Sequence, residues 1–434
     1  MRILHIVHQY PPHYVGGTEL YTQTLARYQA RQEGQRVAVF YPSPEPPAPD
    51  LLSIREEEDG VRVYSANVGP RSRGRVFVDT LRRPEMVQAL EAVLKKVRPD
   101  LVHIQHLMGL PAAFSNVLNR SRLPVIITLH DYWFPCANGQ LITNYDNTIC
   151  NGPYYWLNCG RCAVARAGLG DRPLLAPALA PLLAYRSRLV QGVLAHADRV
   201  IAPTDFVRDM YTRLGMPADR MVVVPHGIQV PSHVLQSAKQ PRAPRQAGEP
   251  LHIVYVGSIA WQKGLHVLVE AANRLPHGAM RLSIYGDLDK FPNYVAQLRV
   301  MAQNPAIHFG GRIERDDFWR LLLEDADVAV LPTLWYEASP LTIQEMFAAR
   351  VPIAGSRIGA LPEKIRDGID GLLFPPGDAV ALQETLTRLL HDPQLLQTLR
   401  NNIQPTRLME EHVRDVGQVY AEVRKEGRVT KTAR

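Results

Sequence analysis

Short apolar runs alternate with helical patterns along most of the chain, and this alternation constrains the fold more than any other feature. The run Ile3–Val7 is followed, after a turn, by the helical stretch Leu20–Gln29. Farther along, the helical stretch Glu85–Val97 is followed by the run Leu101–Gln105. Strands that alternate with helices form parallel sheets covered by helices. The sequence therefore predicts an α/β fold.

The alternation stops once and then restarts, which indicates two domains. The interruption is rich in proline, alanine and arginine and has no apolar pattern, and a new strand-like run, His252–Gly257, follows it. A chain of 434 residues also exceeds what one core usually serves. We predict two Rossmann-like, doubly wound domains. They comprise an N-terminal domain (1–235) with a cysteine-rich insertion (133–165), a linker (236–250), a C-terminal domain (251–404), and a last helix with a tail (405–434).

Composition and apolar runs argue against a membrane-spanning protein. Hydrophobic residues make up 46% and charged residues 21% of the chain, as in ordinary globular proteins. The most apolar stretch, Leu174–Ala195, is interrupted by prolines and by Arg186 and Arg188. The first residues are too short a run, and too rich in histidine, for a signal peptide, and they indicate a buried strand. We therefore expect a cytoplasmic protein.

The net charge of +7 is a modest basic excess that is unevenly distributed. Basic residues cluster at Arg71, Arg73, Arg75, Arg82 and Arg83, and again in the tail from Arg424 onward. One interpretation is a solvated loop and a disordered tail. The other is contact with a pyrophosphate-bearing acceptor or with an anionic membrane, which would place the protein peripherally at the inner membrane face. The absence of aromatic interleaving and of nucleic-acid motifs argues against DNA or RNA as the partner.

The stretch from Val328 to Pro362 contains the clearest functional pattern. A buried-strand run leads to a helix start at Ser339 and Pro340, where serine suits the cap and proline suits the first helical position. Such a start presents backbone N–H groups and the positive end of the helix dipole to an anion. The helix is apolar on nearly every side and still contains Glu345, while Glu337 precedes it with seven residues between the two acids. A buried carboxylate needs a partner.

Two interpretations of these acids follow. In the first, Glu345 pairs with an arginine such as Arg350, and Glu337 is a surface charge on a loop. In the second, the helix start holds a phosphate and both carboxylates accept hydrogen bonds from sugar hydroxyls. The whole string, with its S-P-L before the helix and V-P-I after it, resembles the E-x7-E donor segment of family 4 retaining glycosyltransferases of the GT-B fold.

This resemblance implies a fold, a reaction and residue roles. It implies two Rossmann-like domains that face each other across a cleft, with the donor on the second. The expected reaction moves a sugar, with retention, from a nucleoside-diphosphate sugar to a hydroxyl of a saccharide or lipid-linked acceptor, as in polysaccharide synthesis, without a catalytic cofactor or metal. Glu345 would hold the ribose and Glu337 the sugar. The diphosphate would be stabilised by Lys263 and by the helix start formed by Ser339, Pro340, Leu341 and Thr342.

Other segments match the same family. Adjacent glycines, Gly16 and Gly17, follow the first strand and resemble the family's glycine loop over the diphosphate and acceptor. The segment ITLHDYW places His130 where the family has a histidine that contacts the transferred sugar, and Asp131 could fix the tautomer of that histidine. In the second domain, Lys263 is kept, but Ser258 stands where the family usually has arginine, so Arg312 is a candidate substitute.

All four cysteines fall within one short segment. Cys136, Cys150, Cys159 and Cys162 lie in a loop-like region, and the last two form a C-x2-C pair. Disulfides are rare in the cytoplasm, whereas unlinked thiols or a metal site remain as interpretations. A structural zinc site fits best, with an iron–sulfur cluster as the other metal. The family resemblance does not imply this feature.

Two rival functions share the predicted architecture. A sugar-nucleotide 2-epimerase would use the same donor in a different reaction. A non-catalytic sugar-nucleotide-binding protein is the other rival, and Ser258 in place of arginine favours it. The presence of Glu337, Glu345, Lys263 and His130 favours the transferase.

Overall fold

The computed structural model describes residues 1–47, 52–240, 242–246 and 248–432, with side chains described as far as Glu426. The chain divides into two compact units. Unit 1 comprises Met1–His226 and the C-terminal residues from Met409 onward, and unit 2 comprises Gly227–Leu408.

Unit 1 is built on an eight-stranded sheet with the order β3-β4-β2-β1-β5-β6-β7-β8. Its strands are β1 (Arg2–Ile6), β2 (Arg36–Ser43), β3 (Leu52–Glu56), β4 (Arg62–Asn67), β5 (Leu101–Ile104), β6 (Val125–Thr128), β7 (Arg199–Ala202) and β8 (Met221–Val223). Neighbouring strands are parallel except for β3, which runs antiparallel to β4 at the edge. Strand β3 was not predicted, because its residues are polar and partly exposed and leave no apolar run.

The helices of unit 1 include the last helix of the chain. They are α1 (Gly17–Ala30), α2 (Arg73–Leu81), α3 (Pro84–Val97), α4 (Phe114–Ser121), α5 (Leu157–Val164), α6 (Ala176–Ala195), α7 (Asp205–Arg213) and α16 (Met409–Thr432). Val416, Val419 and Tyr420 of α16 are buried in the same core as Ile3 and Val39 of the sheet. Burial of this apolar face ties α16 to unit 1.

Unit 2 is built on a six-stranded, fully parallel sheet with the order β11-β10-β9-β12-β13-β14. Its strands are β9 (Leu251–Val256), β10 (Met280–Tyr285), β11 (Ile307–Gly311), β12 (Val328–Leu331), β13 (Ile353–Ser356) and β14 (Gly371–Phe374). The strand order reverses direction between β9 and β12. Open α/β sheets bind ligands at such a switch point, beyond the carboxyl ends of the strands.

Eight helices complete the described part of unit 2. They are α8 (Ser232–Ser237), α9 (Leu265–Asn273), α10 (Pro292–Met301), α11 (Arg315–Arg320), α12 (Leu341–Ala348), α13 (Leu361–Lys364), α14 (Ala379–His391) and α15 (Pro393–Asn402). The two sheets, which are parallel except for the edge strand β3, confirm the predicted α/β class. The described residues of the segment 236–250 pack on unit 2, because Arg242 donates to the backbone oxygen of Glu324 at 2.8 Å and Arg245 donates to that of Leu389 at 3.3 Å.

The predicted basic cluster is largely engaged within unit 1. Asp79 on α2 is fully buried and pairs with Arg71 at 3.3 Å, with Arg75 at 2.8 Å, and with Arg83. Three of the five clustered arginines therefore share one buried carboxylate, and contact of this cluster with an anionic acceptor or membrane stays a prediction. Among the described residues, no helix is long and apolar enough to cross a membrane.

Candidate functional site

A cavity of about 60 Å³ lies at the switch point of the unit 2 sheet and gathers several of the predicted donor residues. It is reached from the ends of β9 and β12. Its walls include four predicted site residues, Lys263, Glu337, Pro340 and Thr342. Glu337, Pro340 and Thr342 come from one local motif, whereas Lys263 lies 74 positions before Glu337 and is brought to them by the order of the strands.

Lys263 and Glu337 form an ion pair in this cavity. Lys263 Nζ donates to Glu337 Oε1 at 2.6 Å, and the side chains are 26% and 10% exposed. The same carboxylate oxygen accepts from Trp335 Nε1 at 2.7 Å and from Thr333 Oγ1 at 3.3 Å. Three donors at one oxygen fix the orientation of Glu337. Glu337 is therefore buried and is not the loop surface charge of the first interpretation.

Two glycines allow the loops around the cavity to approach one another. At Gly264, with φ of +71°, a Cβ atom would lie 1.8 Å from the backbone oxygen of Pro332. At Gly359, with φ of +62°, a Cβ atom would lie 2.7 Å from the backbone nitrogen of Glu337. Both positions therefore need glycine for conformation and for space. The turn that carries Lys263 and the loop that carries Glu337 are held in place by these contacts.

Helix α12 begins at the rim of the same cavity. Pro340 occupies the cap position with extended backbone angles, and the first helical residue is Leu341, one residue later than expected. Ser339 therefore does not cap the helix, and its buried hydroxyl has no hydrogen-bond partner among the described residues. No side chain of the described chain caps α12, and its first turn contains no acid. The start of α12 thus keeps the uncompensated positive end of the helix dipole.

Glu345 lies one turn into α12 and is paired with an arginine. Arg315 Nη1 donates to Glu345 Oε1 at 2.7 Å, with side-chain exposures of 54% for Arg315 and 16% for Glu345. Burial raises the pKa of Glu345, and Arg315 offsets part of that effect. The first interpretation expected Glu345 to pair with an arginine, which the structure confirms. It named Arg350 as that arginine, which is wrong, because Arg350 donates to the backbone oxygen of Ile403.

Five predicted donor residues do not line the cavity, namely Ser258, Arg312, Ser339, Leu341 and Glu345. Ser258 is exposed, and its backbone oxygen accepts from Tyr255 at 2.8 Å. Arg312 is 79% exposed and pairs with Asp287 at 2.7 Å. Arg312 therefore does not replace the missing arginine in this structure. Sequence reasoning also missed Arg315 and Trp335, and only Trp335 gave a local signal, two residues before Glu337.

In unit 1, His130 follows β6 at the carboxyl edge of the sheet. Its Nε2 lies 2.9 Å from Oε1 of Gln105, an amide oxygen that can only accept, so Nε2 carries the proton. Gln105 in turn donates to His5 Nδ1 at 3.1 Å, and His5 Nε2 donates to Gln29 Oε1 at 2.8 Å. Gln29 ends the chain by donating to Tyr420 on α16 at 3.1 Å. The directions of all four bonds agree.

This chain of hydrogen bonds fixes the state of His130. Burial, with a further contribution from His106, lowers the pKa of His130 to about 3. The ring is therefore neutral near pH 7, with its remaining lone pair on Nδ1. Asp131 does not fix the tautomer, because its carboxylate accepts from His106 Nε2 at 3.2 Å. That part of the sequence interpretation is corrected, and Gln105 takes the role assigned to Asp131.

Gly16 and Gly17 lie at the start of α1, with Gly16 in the cap position. A Cβ atom at Gly16 would lie 2.5 Å from Glu19 Oε2, so the carboxylate of Glu19 occupies the space beside the glycine. Glu19 is buried and pairs with His8 at 3.4 Å. A carboxylate at this helix start already satisfies the positive end of the dipole, in contrast to α12.

The four cysteines lie in one region of unit 1, and Cys159 and Cys162 are both on α5. Burial, together with the thiols of Cys136, Cys150 and Cys162, raises the pKa of Cys159 to about 12. Cys136 donates to Asn138 at 2.7 Å, and Cys162 accepts from Asn144 at 2.9 Å. Within the described ranges, no three His, Cys, Asp or Glu side chains are arranged to hold a metal ion. The zinc site stays a prediction.

Three larger cavities, of about 540, 730 and 250 Å³, occur in the described part of unit 1. Their walls include Asp198 in the first, Arg36 in the second and Arg220 in the third, which are residues at the amino ends of the strands. Ligand sites of open α/β sheets lie at the opposite edge. None of the three contains a predicted site residue, so the smaller cavity in unit 2 is the candidate site.

Glycosyltransferases with the GT-B fold consist of two α/β units, each built on a largely parallel sheet. Solved structures of that class resemble this chain. Sucrose-phosphate synthase from Thermosynechococcus elongatus aligns with a TM-score of 0.70 at 20% identity, covering 98% of this chain and 99% of that one. Anabaena Alr3699/HepE in complex with UDP aligns with a TM-score of 0.65 at 17% identity, covering 97% and 100%.

Family models identify the chain more closely. The model described as Glycosyltransferase Family 4 matches residues 15–230, and the model described as Glycosyl transferases group 1 matches residues 236–405. The chain belongs to the group 1 glycosyltransferase family, which confirms the predicted resemblance. Glycogen synthase of Mycobacterium tuberculosis (strain CDC 1551 / Oshkosh) is 26% identical over 417 residues, covering 92% of this chain and 88% of that protein. The putative colanic acid biosynthesis glycosyltransferase WcaL of Salmonella typhimurium is 26% identical over 226 residues, covering 49% of this chain and 53% of WcaL.

Proposed function

We propose that the protein transfers a sugar, with retention of anomeric configuration and without a catalytic metal, from a nucleoside-diphosphate sugar to a hydroxyl of a growing glycan. The observation that carries this proposal is the cavity where Lys263, Glu337 and the uncapped start of α12 converge at the switch point of unit 2. A cation and a helix start together suit a leaving diphosphate.

The roles of the residues form part of the proposal. Lys263 and the backbone N–H groups of Leu341 and Thr342 stabilise the negative charge that develops on the diphosphate. Glu337, held by three donors, accepts hydrogen bonds from sugar hydroxyls, and Glu345 accepts them from the ribose. His130, neutral and protonated on Nε2, offers Nδ1 as a hydrogen-bond acceptor to the transferred sugar. The roles of Gly16 and Gly17 in the glycine loop, and the domain limits at residues 235, 250 and 404, remain proposals of the sequence.

The acceptor is proposed to be a saccharide or a lipid-linked saccharide, because the relatives include a glycogen synthase and a colanic acid transferase. UDP is bound in one of the structural neighbours, which makes UDP-sugars the first donors to test.

The experiment is a donor screen followed by a transfer assay. Thermal shifts with UDP-, GDP- and dTDP-sugars identify the donor, since a ligand at about a hundred times its dissociation constant stabilises by about 2.7 kcal/mol. We expect release of nucleoside diphosphate only when an acceptor is present, undiminished by excess EDTA, and a product whose anomeric coupling matches the donor. Formation of an epimeric sugar nucleotide without acceptor would show the 2-epimerase instead. Binding without any turnover would show the non-catalytic alternative.

A further inference from the structure

The surface of unit 1 between residues 154 and 185 exposes an unusual concentration of apolar side chains. Sixteen large hydrophobic side chains are exposed in the described part of the chain, and eight of them lie in this short segment. They are Tyr154, Tyr155, Leu157, Leu169, Leu174, Leu175, Leu182 and Tyr185. Leu174 is 93% exposed and Tyr155 is 75% exposed. A concentration of this kind marks an interaction surface, unlike isolated apolar residues.

The segment forms one packed element whose other face is anchored. A Cβ atom at Gly160 of α5 would lie 2.3 Å from the backbone oxygen of Ala176, so α5 lies directly against the start of α6. Arg186 of α6 is buried and donates to the backbone oxygens of Trp133 at 2.5 Å and Phe134 at 3.0 Å. The exposed side of α6 presents Ala178, Leu182 and Tyr185, which follow the helical spacing of a continuous stripe.

The charged residues of the segment are almost all basic. Between residues 151 and 195 the chain contains five arginines and a single acid, Asp171. Arg161 neutralises Asp171 through two bonds of 2.6 and 2.5 Å. Arg186 is buried, which leaves Arg166, Arg172 and Arg188 exposed in the same segment as the apolar side chains.

Leucine and tyrosine with arginine and no exposed unpaired acid form the composition of a surface that lies in the headgroup region of an anionic membrane. Tyrosine places an apolar ring next to lipid and its hydroxyl next to water. A second copy of the chain fits less well, because a two-fold contact uses the same patch on both copies and would bring two positively charged patches together. The segment does not span the bilayer, because Arg186 is committed to the interior of unit 1.

We propose that α6 and the preceding residues from Tyr154 form a membrane-docking surface that inserts its tyrosines and leucines among anionic lipid headgroups. We define this surface by the eight exposed side chains and the three exposed arginines. It is separate in the chain from the basic cluster around Asp79, where Arg71, Arg75 and Arg83 share one buried carboxylate. The proposal agrees with a lipid-linked acceptor but does not use the donor cavity, so its failure leaves the proposed transferase function intact.

The test is cosedimentation of the full chain with extruded vesicles. Vesicles of about 70% phosphatidylcholine and 30% phosphatidylglycerol are compared with pure phosphatidylcholine, because each basic residue near an anionic surface strengthens binding by about fivefold. We expect binding to the anionic vesicles at least about tenfold tighter than to the neutral ones, and weakened by high salt.

Matched variants distinguish binding through this surface from nonspecific binding of exposed apolar side chains to vesicles. The triple variant Leu174→Ser, Leu182→Ser, Tyr185→Ser should lose at least about tenfold in vesicle affinity while its circular dichroism and melting temperature stay unchanged. The control variant Val300→Ser, on an exposed residue of unit 2, should bind as the original protein does. The proposal would be overturned if the protein did not bind anionic vesicles or bound neutral vesicles equally tightly. It would also be overturned if Val300→Ser lost as much vesicle affinity as the triple variant. Dimerisation in sedimentation velocity that the triple variant abolishes would overturn it in favour of a contact between copies.

Discussion

Replacing Glu345 with glutamine tests the donor-site proposal directly. The substitution removes one negative charge and leaves the size of the side chain unchanged. Arg315 uses one carboxylate oxygen, at 2.7 Å, and a carboxylate offers about four lone-pair sites, so the second oxygen remains able to accept a ribose hydroxyl. In glutamine, one uncharged amide oxygen would have to accept from both Arg315 and the ribose, and the NH2 group cannot accept.

The magnitude follows from the charge of the acceptor. A hydrogen bond to a charged group contributes about 1.5–3 kcal/mol, and about 1.4 kcal/mol corresponds to a factor of ten. Loss of one such bond should therefore raise the dissociation constant of the nucleoside diphosphate by about tenfold to a hundredfold.

The same substitution should not reduce stability. Burial raises the pKa of Glu345 above its value in the unfolded chain, so the cost of ionising it is absent below the unfolded pKa, grows as pH rises towards the folded pKa, and is complete above the folded pKa. Glutamine removes the cost of ionising a buried carboxylate at neutral pH. Arg315, whose side chain is 54% exposed, can be solvated by water instead. We expect the free energy of unfolding at pH 7.5 to stay the same or to increase.

Isothermal titration with UDP, GDP and dTDP measures the dissociation constant of the nucleotide. Urea denaturation measures the free energy of unfolding. The matched control is Glu270→Gln, because Glu270 is a half-exposed glutamate of the same unit that pairs with Arg274 at 2.8 Å. The reasoning is refuted if Glu345→Gln binds the nucleotide within about twofold of the original protein, or if the control weakens binding equally.

Four further predictions concern Lys263, the buried histidines, Gln105 and the cysteines. Lys263→Ala should lower kcat by about a hundredfold to a thousandfold in the transfer assay while the protein stays folded, and turnover near the original value would exclude its role at the diphosphate. Burial lowers the pKa of His130 to about 3 and that of His5 to about 4, below their values in the unfolded chain. The stability that depends on these neutral rings is therefore complete above the unfolded pKa and is lost as pH falls towards the folded pKa. The free energy of unfolding from urea denaturation should therefore decrease as pH falls below about 6.5, by about 1.4 kcal/mol per pH unit for each such histidine. A free energy that does not change with pH in this range would contradict the burial of these rings in the neutral form. Nitrogen-15 spectra should show His130 protonated on Nε2 and a mixture of tautomers in Gln105→Leu, whereas an unchanged tautomer would show that Gln105 does not set it. Purified protein should contain about one equivalent of zinc, lost in Cys159→Ser, and less than about a tenth of an equivalent would refute the metal site.

Local patterns predicted the parts of the structure that depend on neighbouring residues. The strand run before Glu337 and the helix that carries Glu345 were identified within one residue at the helix start, because strand and helix periods and proline chemistry act over a few residues. Strand β3 and helix α2 were missed for the same reason, since their segments are polar and give no clear period. The cysteine-rich loop was expected to be irregular, yet Cys159 and Cys162 lie on a helix.

Partner choice was predicted much less well. The sequence suggested Arg350 for Glu345, Arg312 for the missing cation and Asp131 for the tautomer of His130. The structure provides Arg315 for the first and Gln105 for the last, and it leaves Arg312 in solvent paired with Asp287. Each of these pairings joins separate elements of the fold, and the sequence gives no sign of which elements lie side by side.

The sequence by itself determined the α/β class, the family and the pair of acids in E-x7-E, because these depend on periodicity and on a contiguous string. Only the tertiary structure decided that Lys263 bonds to Glu337, which is 74 positions away, and that Tyr420 connects to His130 through four hydrogen bonds. The physical reason is that strand order in a parallel sheet brings distant loops to one edge. The free energy of a buried ion pair or hydrogen bond then depends on which side chains meet there.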